Sequence, residues 1–227
     1  MGKQQVPEAR WTDRDRALWH TCEIAVDLAH GRVPPPRMRV ASIFPPQLGV
    51  DEQYWAAGPY TLNEQRALGD GSYVHDSGYF SATGRGGLMA TGAVAAFRAA
   101  GNARRRHEAE RAAIPRWMPI EHGAVYVSRY GIHLHGPGGI FPWHWSAFTA
   151  AQMVGPAAVH VLGSSTRGPV SWILQSDWAE LVFVAWAMAC HRQHPQLVTG
   201  TWLPPGWLQR CATFAQPTRL GSPALTT

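Results

Sequence analysis

Short apolar segments that alternate with turn-forming residues fill the chain from about Pro119 to His191. Six segments, HGAVYVS, GIHLHG, IFPWHW, AFTAAQMV, AVHVLG and PVSWILQ, are separated by SRYG, GPGG, VGP and GSSTRG. Turn signals every 8 to 12 residues or so are typical of small all-β units. Within GIHLHG, apolar and polar residues alternate, as a half-buried strand requires. The pattern predicts a small antiparallel β-barrel or sandwich.

The segment SDWAELVFVAWAMACH follows the last predicted strand and predicts a helix that closes the β-unit. Asp177 and Glu180 have the spacing of a capping box at its start. Because the helix is apolar nearly all round, it must be covered on both sides, and we expect the N-terminal half to provide the second cover. Without that cover, Phe183 and Trp186 would form a partner-binding surface.

The first half of the chain predicts two helices and little regular structure between them. Apolar residues recur at three-to-four spacing from Thr12 or Asp13 to about Ala29, and Gly31 follows as a stop signal. The proline-rich stretch VPPPRMRVASIFPP predicts an extended connector, and residues 53–80 predict one or two short strands or an ordered loop. Residues 87–113 predict a second helix that Pro115 ends.

These patterns together predict an α+β protein with three regions. Residues 1–114 form a helical and irregular half, 115–192 the β-unit with its closing helix, and 193–227 a Pro-rich tail. One side of the second helix carries small residues, which favours close packing on another helix in this chain or in a second copy. That strip consists of Leu88, Gly92, Ala95, Ala96, Ala99 and Ala103.

Composition narrows the class of protein. The 227 residues are 45% hydrophobic and include 11 tryptophans, which indicates a packed core. The three cysteines have no paired spacing, and the first residues lack the apolar core of a secretion signal. We therefore expect a cytoplasmic protein with reduced thiols, with peripheral association at the inner face of the membrane as an alternative.

The basic excess of the chain lies in one segment. Seven arginines and two glutamates fall between Gly84 and Arg116, and this difference equals the whole formal charge of +5. The arginines predicted to contact an anion or anionic lipid are Arg98, Arg104, Arg105 and Arg106. Nucleic-acid binding is disfavoured because stacking aromatics do not interleave with the arginines.

Three histidines form the candidate metal site. His133 and His135 share one side of a predicted strand, and His144 follows in the next strand. An H-x-H pair with a third histidine could hold zinc and leave a position open for water. The alternative is that strand alternation alone places His133 and His135 in solvent.

The sequence carries no motif for covalent catalysis or for a cofactor. Ser164 and Ser165 lie outside a G-x-S-x-G elbow, and GDGS and ATGRGG lack the spacing of phosphate-binding loops. We therefore predict a protein that is not an enzyme and has no cofactor. Binding or scaffolding of a partner protein ranks first, anionic-lipid contact second and a metal-dependent enzyme third.

Two blocks of the sequence resemble known families. HGAVYVSRYGIHLHGPGGIFPWHWSAFTAAQMV and PVSWILQSDWAELVFVAWAM resemble the pleckstrin-homology and GRAM-like domains of bacteria. SYVHDSGYFSATGRGG, GNARRR and WILQSDWAELVFV resemble an uncharacterised family of proteins from high-GC bacteria. The resemblance implies lipid-headgroup or protein binding. Lipid-binding members place several basic residues around the first strand turn, where this chain has only Arg129, so the protein-binding form is expected.

Overall fold

A computed structural model describes residues 11–36, 51–70, 72, 87–165 and 168–213, with backbone alone for 87–98. The helices are α1 (Asp13–Ala29), α2 (Gly87–Ala113), α3 (Ala179–Cys190), α4 (Pro195–Thr199) and α5 (Trp207–Thr213). The strands are β1 (Tyr54–Arg66), β2 (Arg116–Ser128), β3 (Gly131–Gly136), β4 (Gly139–His144), β5 (Phe148–Gly155), β6 (Ala158–Ser165) and β7 (Gly168–Gln175).

The seven strands form one antiparallel sheet in the order β4-β3-β2-β1-β7-β6-β5. The α+β class is confirmed, whereas the expectation of a closed barrel is wrong, because β4 and β5 remain as edges. Only the short 3-10 turn Trp145–Ala147 joins these two strands along the chain. Side chains meet where backbone pairing is missing: the rings of Trp143 and Phe148 lie 4.2 Å apart between centroids.

Strand β1 is the element that the sequence pattern did not define. It lies between β2 and β7, and Thr61 pairs with Gln175. The sheet therefore draws a central strand from the first half of the chain. Gly58 and Pro59 interrupt the apolar pattern of this strand. The glycine is required there, since a Cβ at Gly58 would lie 2.7 Å from the indole ring of Trp178.

Helix α1 begins and ends where the sequence predicts. The Thr12 hydroxyl accepts from the Asp15 N–H at 3.1 Å, and the Asp15 carboxylate accepts from the Thr12 N–H at 2.9 Å, which completes a capping box. After the helix, Gly31 adopts a left-handed φ of 69°, a conformation that favours glycine. Arg210 of α5 donates to Asp15 at 2.7 Å, so the same carboxylate also holds α5 against α1.

Helix α3 is enclosed by the rest of its unit. All its residues from Ala179 to Ala187 are buried, with β5 and β6 on one side and α1 on another. The prediction that the N-terminal half covers this helix is confirmed by the packing of α1. The predicted capping box is wrong, because α3 starts after Trp178 and the Glu180 carboxylate is engaged by Arg14 instead.

Residues 65–118 form a compact unit of their own, separate from the unit made of 1–64 and 119–227. Helix α2 accounts for most of it and matches the predicted 87–113. Inside this unit, Leu68 N–H and Gly69 N–H both donate to the Ala112 carbonyl, at 2.8 and 3.0 Å. Within the described residues, no helix is both long and apolar enough to cross a membrane.

The outer edge of β5 is capped by one side chain. The Gln196 amide accepts from the Met153 N–H and donates to the Met153 carbonyl, both at 2.9 Å. These are the two hydrogen bonds that an additional strand would make at this residue. Gln196 therefore protects the edge at that point from pairing with another chain.

Replacement of Leu181 by Ala should test the central position of α3. Its side chain is fully buried, so truncation is expected to lower the free energy of unfolding by about 2 to 5 kcal/mol. Leu208→Ala is the matched control, because Leu208 is 73% exposed on α5 and should change stability by less than about 0.5 kcal/mol. Chemical denaturation of the full chain measures both, and equal effects would contradict the packing described above.

Candidate functional site

The unit that contains α3 carries an open surface groove of about 320 Å³. Three separate stretches of chain line it: the middle of β1, the turn between β5 and β6, and the end of β7. Ligand pockets usually measure about 300 to 1,000 Å³, so the groove is large enough for a ligand or a few side chains. The lining residues are Pro59, Tyr60, Thr61, Pro156, Ala157, Gln175, Ser176 and Asp177.

The wall of the groove is held by internal contacts. Ala157, in the β5–β6 turn, has a left-handed φ of 58°, which is unfavourable for a residue with a Cβ. Its N–H donates to the Glu180 carboxylate at 3.0 Å, and its carbonyl accepts from the Ser176 N–H at 3.0 Å. The turn is thus fixed from both sides by contacts within the protein.

A buried ion pair lies directly behind this wall. The Glu180 carboxylate, 1% exposed, binds the guanidinium of Arg14, which also donates to the Asp177 carbonyl. One Glu180 oxygen, Oε1, therefore serves both Arg14 and the Ala157 N–H, while Oε2 has no hydrogen-bond partner among the described residues. The pair connects α1, α3 and the β5–β6 turn at one point.

Most polar groups on the floor of the groove already have partners. The Tyr60 hydroxyl donates to Glu121, and burial together with this hydrogen bond raises the pKa of Tyr60 far above its usual value. The Thr61 hydroxyl lies 3.2 Å from His122 Nδ1. The Asp177 side chain differs, because its carboxylate has no hydrogen bond or ion pair with any residue that the structure describes.

The three candidate metal ligands are not brought together. Within the described part of the chain, no three His, Cys, Asp or Glu side chains are placed to share a metal ion. His135 pairs with Ile140 and His144 with Gly131, so the two histidines lie four positions apart along β4, or about 13 Å. The proposed zinc site is therefore wrong as a three-histidine cluster.

His133 is buried rather than exposed to solvent. It is 5% exposed and packs edge-on against Tyr54, with ring centroids 5.4 Å apart. Burial lowers the pKa of His133, while nearby Glu52 opposes this shift and His144 adds to it. Neither His133 Nδ1 nor the Tyr54 hydroxyl has a hydrogen-bond partner among the described residues. The simple alternation of buried and exposed positions thus fails at this strand.

The arginine cluster is exposed and partly neutralised. Arg104 pairs with Glu108 at 2.7 Å and Arg106 with Glu110 at 2.9 Å, each one helical turn away. Arg105 donates instead to the Asn102 side chain at 2.7 Å. The Arg98 side chain lies outside the described residues. Two of the three consecutive guanidinium groups are therefore already paired with carboxylates.

The residues predicted as a partner surface belong to the core. Phe183 and Trp186 are 0% and 1% exposed, so neither can meet a partner in this structure. His194, which follows α3, lies against both rings, with centroid distances of 5.0 and 5.9 Å. This part of the cover comes from the segment after α3, which lies at the start of the predicted Pro-rich tail.

Two of the cysteines are poor nucleophiles. Burial raises the pKa of Cys22 to about 11, and burial also raises the pKa of Cys211. Both thiols are therefore protonated at neutral pH, whereas a nucleophilic cysteine reacts as the thiolate.

Comparisons of this chain with protein-family models, with curated proteins and with solved structures find no match. The candidate site therefore depends on geometry alone. No sequence pattern indicates the groove, because its residues are distant in the chain and carry no shared motif. One signal was present in the sequence: Gly-Pro-Ala-Ala at 155–158 predicts a tight turn. The structure adds that Ala157 in this turn adopts a conformation that favours glycine.

Substitution of Ala157 by Gly should stabilise the protein. Glycine removes the left-handed strain, and the gain exceeds its entropic cost, so unfolding should require about 0.5 to 1 kcal/mol more. Ala158→Gly is the control, because Ala158 begins β6, where glycine should cost about 0.5 to 1 kcal/mol. Thermal unfolding of both variants gives the sign, and a loss of stability in both would mean that Ala157 is not strained.

Replacement of His133 by Phe should reduce the loss of stability in acid. Burial lowers the pKa of His133 below 6.5, the ordinary value that it has in the unfolded chain. As pH falls through 6.5, the unfolded chain therefore binds a proton at His133 more readily than the folded protein does, and the free energy of unfolding decreases. Phenylalanine keeps a flat ring against Tyr54 but cannot titrate.

The measurement is the free energy of unfolding at about pH 7 and about pH 5 for the wild type and for His133→Phe. Burial also lowers the pKa of His160 and of His194, so the variant should keep part of the wild-type pH dependence. An unchanged difference between the two pH values would show that His133 is protonated as easily in the folded protein as in the unfolded chain.

Proposed function

We propose that this chain is a non-enzymatic binding or scaffolding protein that holds a partner protein in the groove between β1, β7 and the β5–β6 turn. The observation that carries the proposal is the preformed wall of that groove. Its strained turn at Ala157 is fixed by Glu180 and Ser176, and strained backbone that the surroundings hold in place is typical of ligand-contacting positions.

A pleckstrin-homology-like architecture is part of this proposal. Support comes from seven antiparallel strands followed directly by a buried helix, and from the sequence blocks that resemble such domains in bacteria. We also propose membership of the uncharacterised high-GC bacterial family on the blocks quoted above. In this chain the connection between β1 and β2 contains the whole α2 unit, where a simple hairpin would have only a few residues.

The contact with anionic lipid is less well supported than protein binding. Residues 99–116 carry five arginines and two glutamates, and both glutamates pair with arginines. Solvent-exposed pairs of this kind are weak, yet each one holds a guanidinium away from a lipid phosphate. The groove, by contrast, carries a carboxylate, which anionic lipid would repel.

Photo-cross-linking should show whether the groove contacts a partner. We expect benzoylphenylalanine in place of Gln175, an exposed groove residue, to give a discrete protein adduct in the source cell. The same residue in place of Gln152 is the control, because Gln152 is exposed on β5 but does not line the groove.

Denaturing electrophoresis and mass spectrometry would identify the adduct. An adduct that appears equally at both positions would indicate nonspecific contact and contradict the proposal. The absence of any adduct at Gln175, in a variant that folds and is expressed as well as the wild type, would also contradict it.

A further inference from the structure

The hydrogen-bonding groups of the groove are unequally available to a ligand. Pro59 and Pro156 have no N–H, and the N–H groups of Ala157 and Ser176 are used within the protein. The Tyr60 hydroxyl donates to Glu121 and so offers no proton either. The Gln175 amide nitrogen remains a donor, because Asn63 uses only the amide oxygen, at 3.2 Å, whereas the Asp177 carboxylate offers acceptor oxygens that have no partner among the described residues.

Charge in the groove is similarly one-sided. Its described lining contains one acid, Asp177, and no arginine, lysine or histidine. Arg14 contacts this region by donating to the Asp177 carbonyl, but its guanidinium is engaged by the buried Glu180 carboxylate. Among the described residues, no side chain pairs with the negative charge of Asp177.

We infer that the groove takes a basic peptide segment of the partner protein, with an arginine or lysine side chain placed against Asp177. This inference rests on the proposed binding function and specifies the chemistry of the partner. A cationic side chain supplies the positive charge that the described lining of the groove lacks, together with hydrogen-bond donors for the Asp177 carboxylate. The two prolines and the Ala157 methyl group provide an apolar wall for the aliphatic part of such a side chain.

The test is a peptide titration of the isotope-labelled full chain, followed by backbone amide NMR. The probe is acetyl-Gly-Arg-Gly-amide, and acetyl-Gly-citrulline-Gly-amide is its neutral counterpart of nearly the same shape. We expect the arginine peptide to shift the amide signals of Thr61, Ala157 and Asp177. The citrulline peptide should bind about five- to tenfold more weakly, as expected for loss of a charged contact at a partly exposed site.

Variants of the acid separate charge from shape. Asp177→Asn should weaken binding of the arginine peptide by the same factor, whereas Asp177→Glu should retain most of it. Asp27→Asn is the matched control, because it removes one negative charge near the other end of α1, about 20 Å along the helix from Arg14, which contacts Asp177, and should leave binding unchanged. The amide spectrum of each free variant verifies that it is folded.

Three results would overturn the inference: equal binding of the citrulline peptide, unweakened binding by Asp177→Asn, or no groove shift with the arginine peptide. None of these depends on the cross-linking result at Gln175. A partner adduct at Gln175 combined with any of them would mean that the groove binds a partner of different chemistry. Failure of both experiments would remove the binding function as well.

Discussion

Helix α3 has buried residues on every side, and this requirement determines which other elements must surround it. Its buried segment runs from Ala179 to Ala187, more than two turns, so no face can lie in water. The sheet covers one side through β5 and β6, and α1 packs on another. His191 and His194 close the region around Trp186. Elements from distant parts of the sequence are therefore held together by one apolar helix.

The charged residue in this helix connects the core to the groove. Glu180 lies in the first turn of α3, with its carboxylate fully enclosed, and Arg14 neutralises it from α1. Removal of one partner of a buried pair typically costs about 3 to 5 kcal/mol, because the other charge is left without compensation. The same carboxylate holds the Ala157 N–H, so the shape of the groove depends on the packing of α1 against α3.

Local patterns predicted the elements that local interactions specify. The start of α1 at Thr12 or Asp13, its stop at Gly31 and the turns after β2, β3 and β5 depend on neighbouring residues, and they lie where expected. Residues 53–80 predicted only short strands or a loop in place of the long strand β1, because Gly58 and Pro59 break its pattern for a reason that only the Trp178 ring explains. Asp177 was predicted to cap α3 because of its spacing from Glu180, but the helix starts after Trp178 and does not use this cap.

The candidate site could not be predicted in the same way. The groove forms only when β1 pairs with β7 and when the β5–β6 turn is fastened to α3. A sequence pattern records none of these contacts, because the paired residues of β1 and β7, such as Thr61 and Gln175, lie more than a hundred positions apart. The spacing of the histidines in the sequence predicted a cluster of His133, His135 and His144, whereas the strand register places His135 and His144 far apart.

The placement of β1 also has a consequence for the order of folding during synthesis. Its neighbour β7 ends at Gln175, so more than a hundred residues must follow β1 out of the ribosome before that side of the strand can pair. Until then, β1 has an unpaired edge and α1 lacks the helix that it packs against. Such long-range pairing is slow and leaves apolar surface open to wrong association. Premature release of the chain before Gln175 would leave β1 without its β7 partner and prone to aggregation.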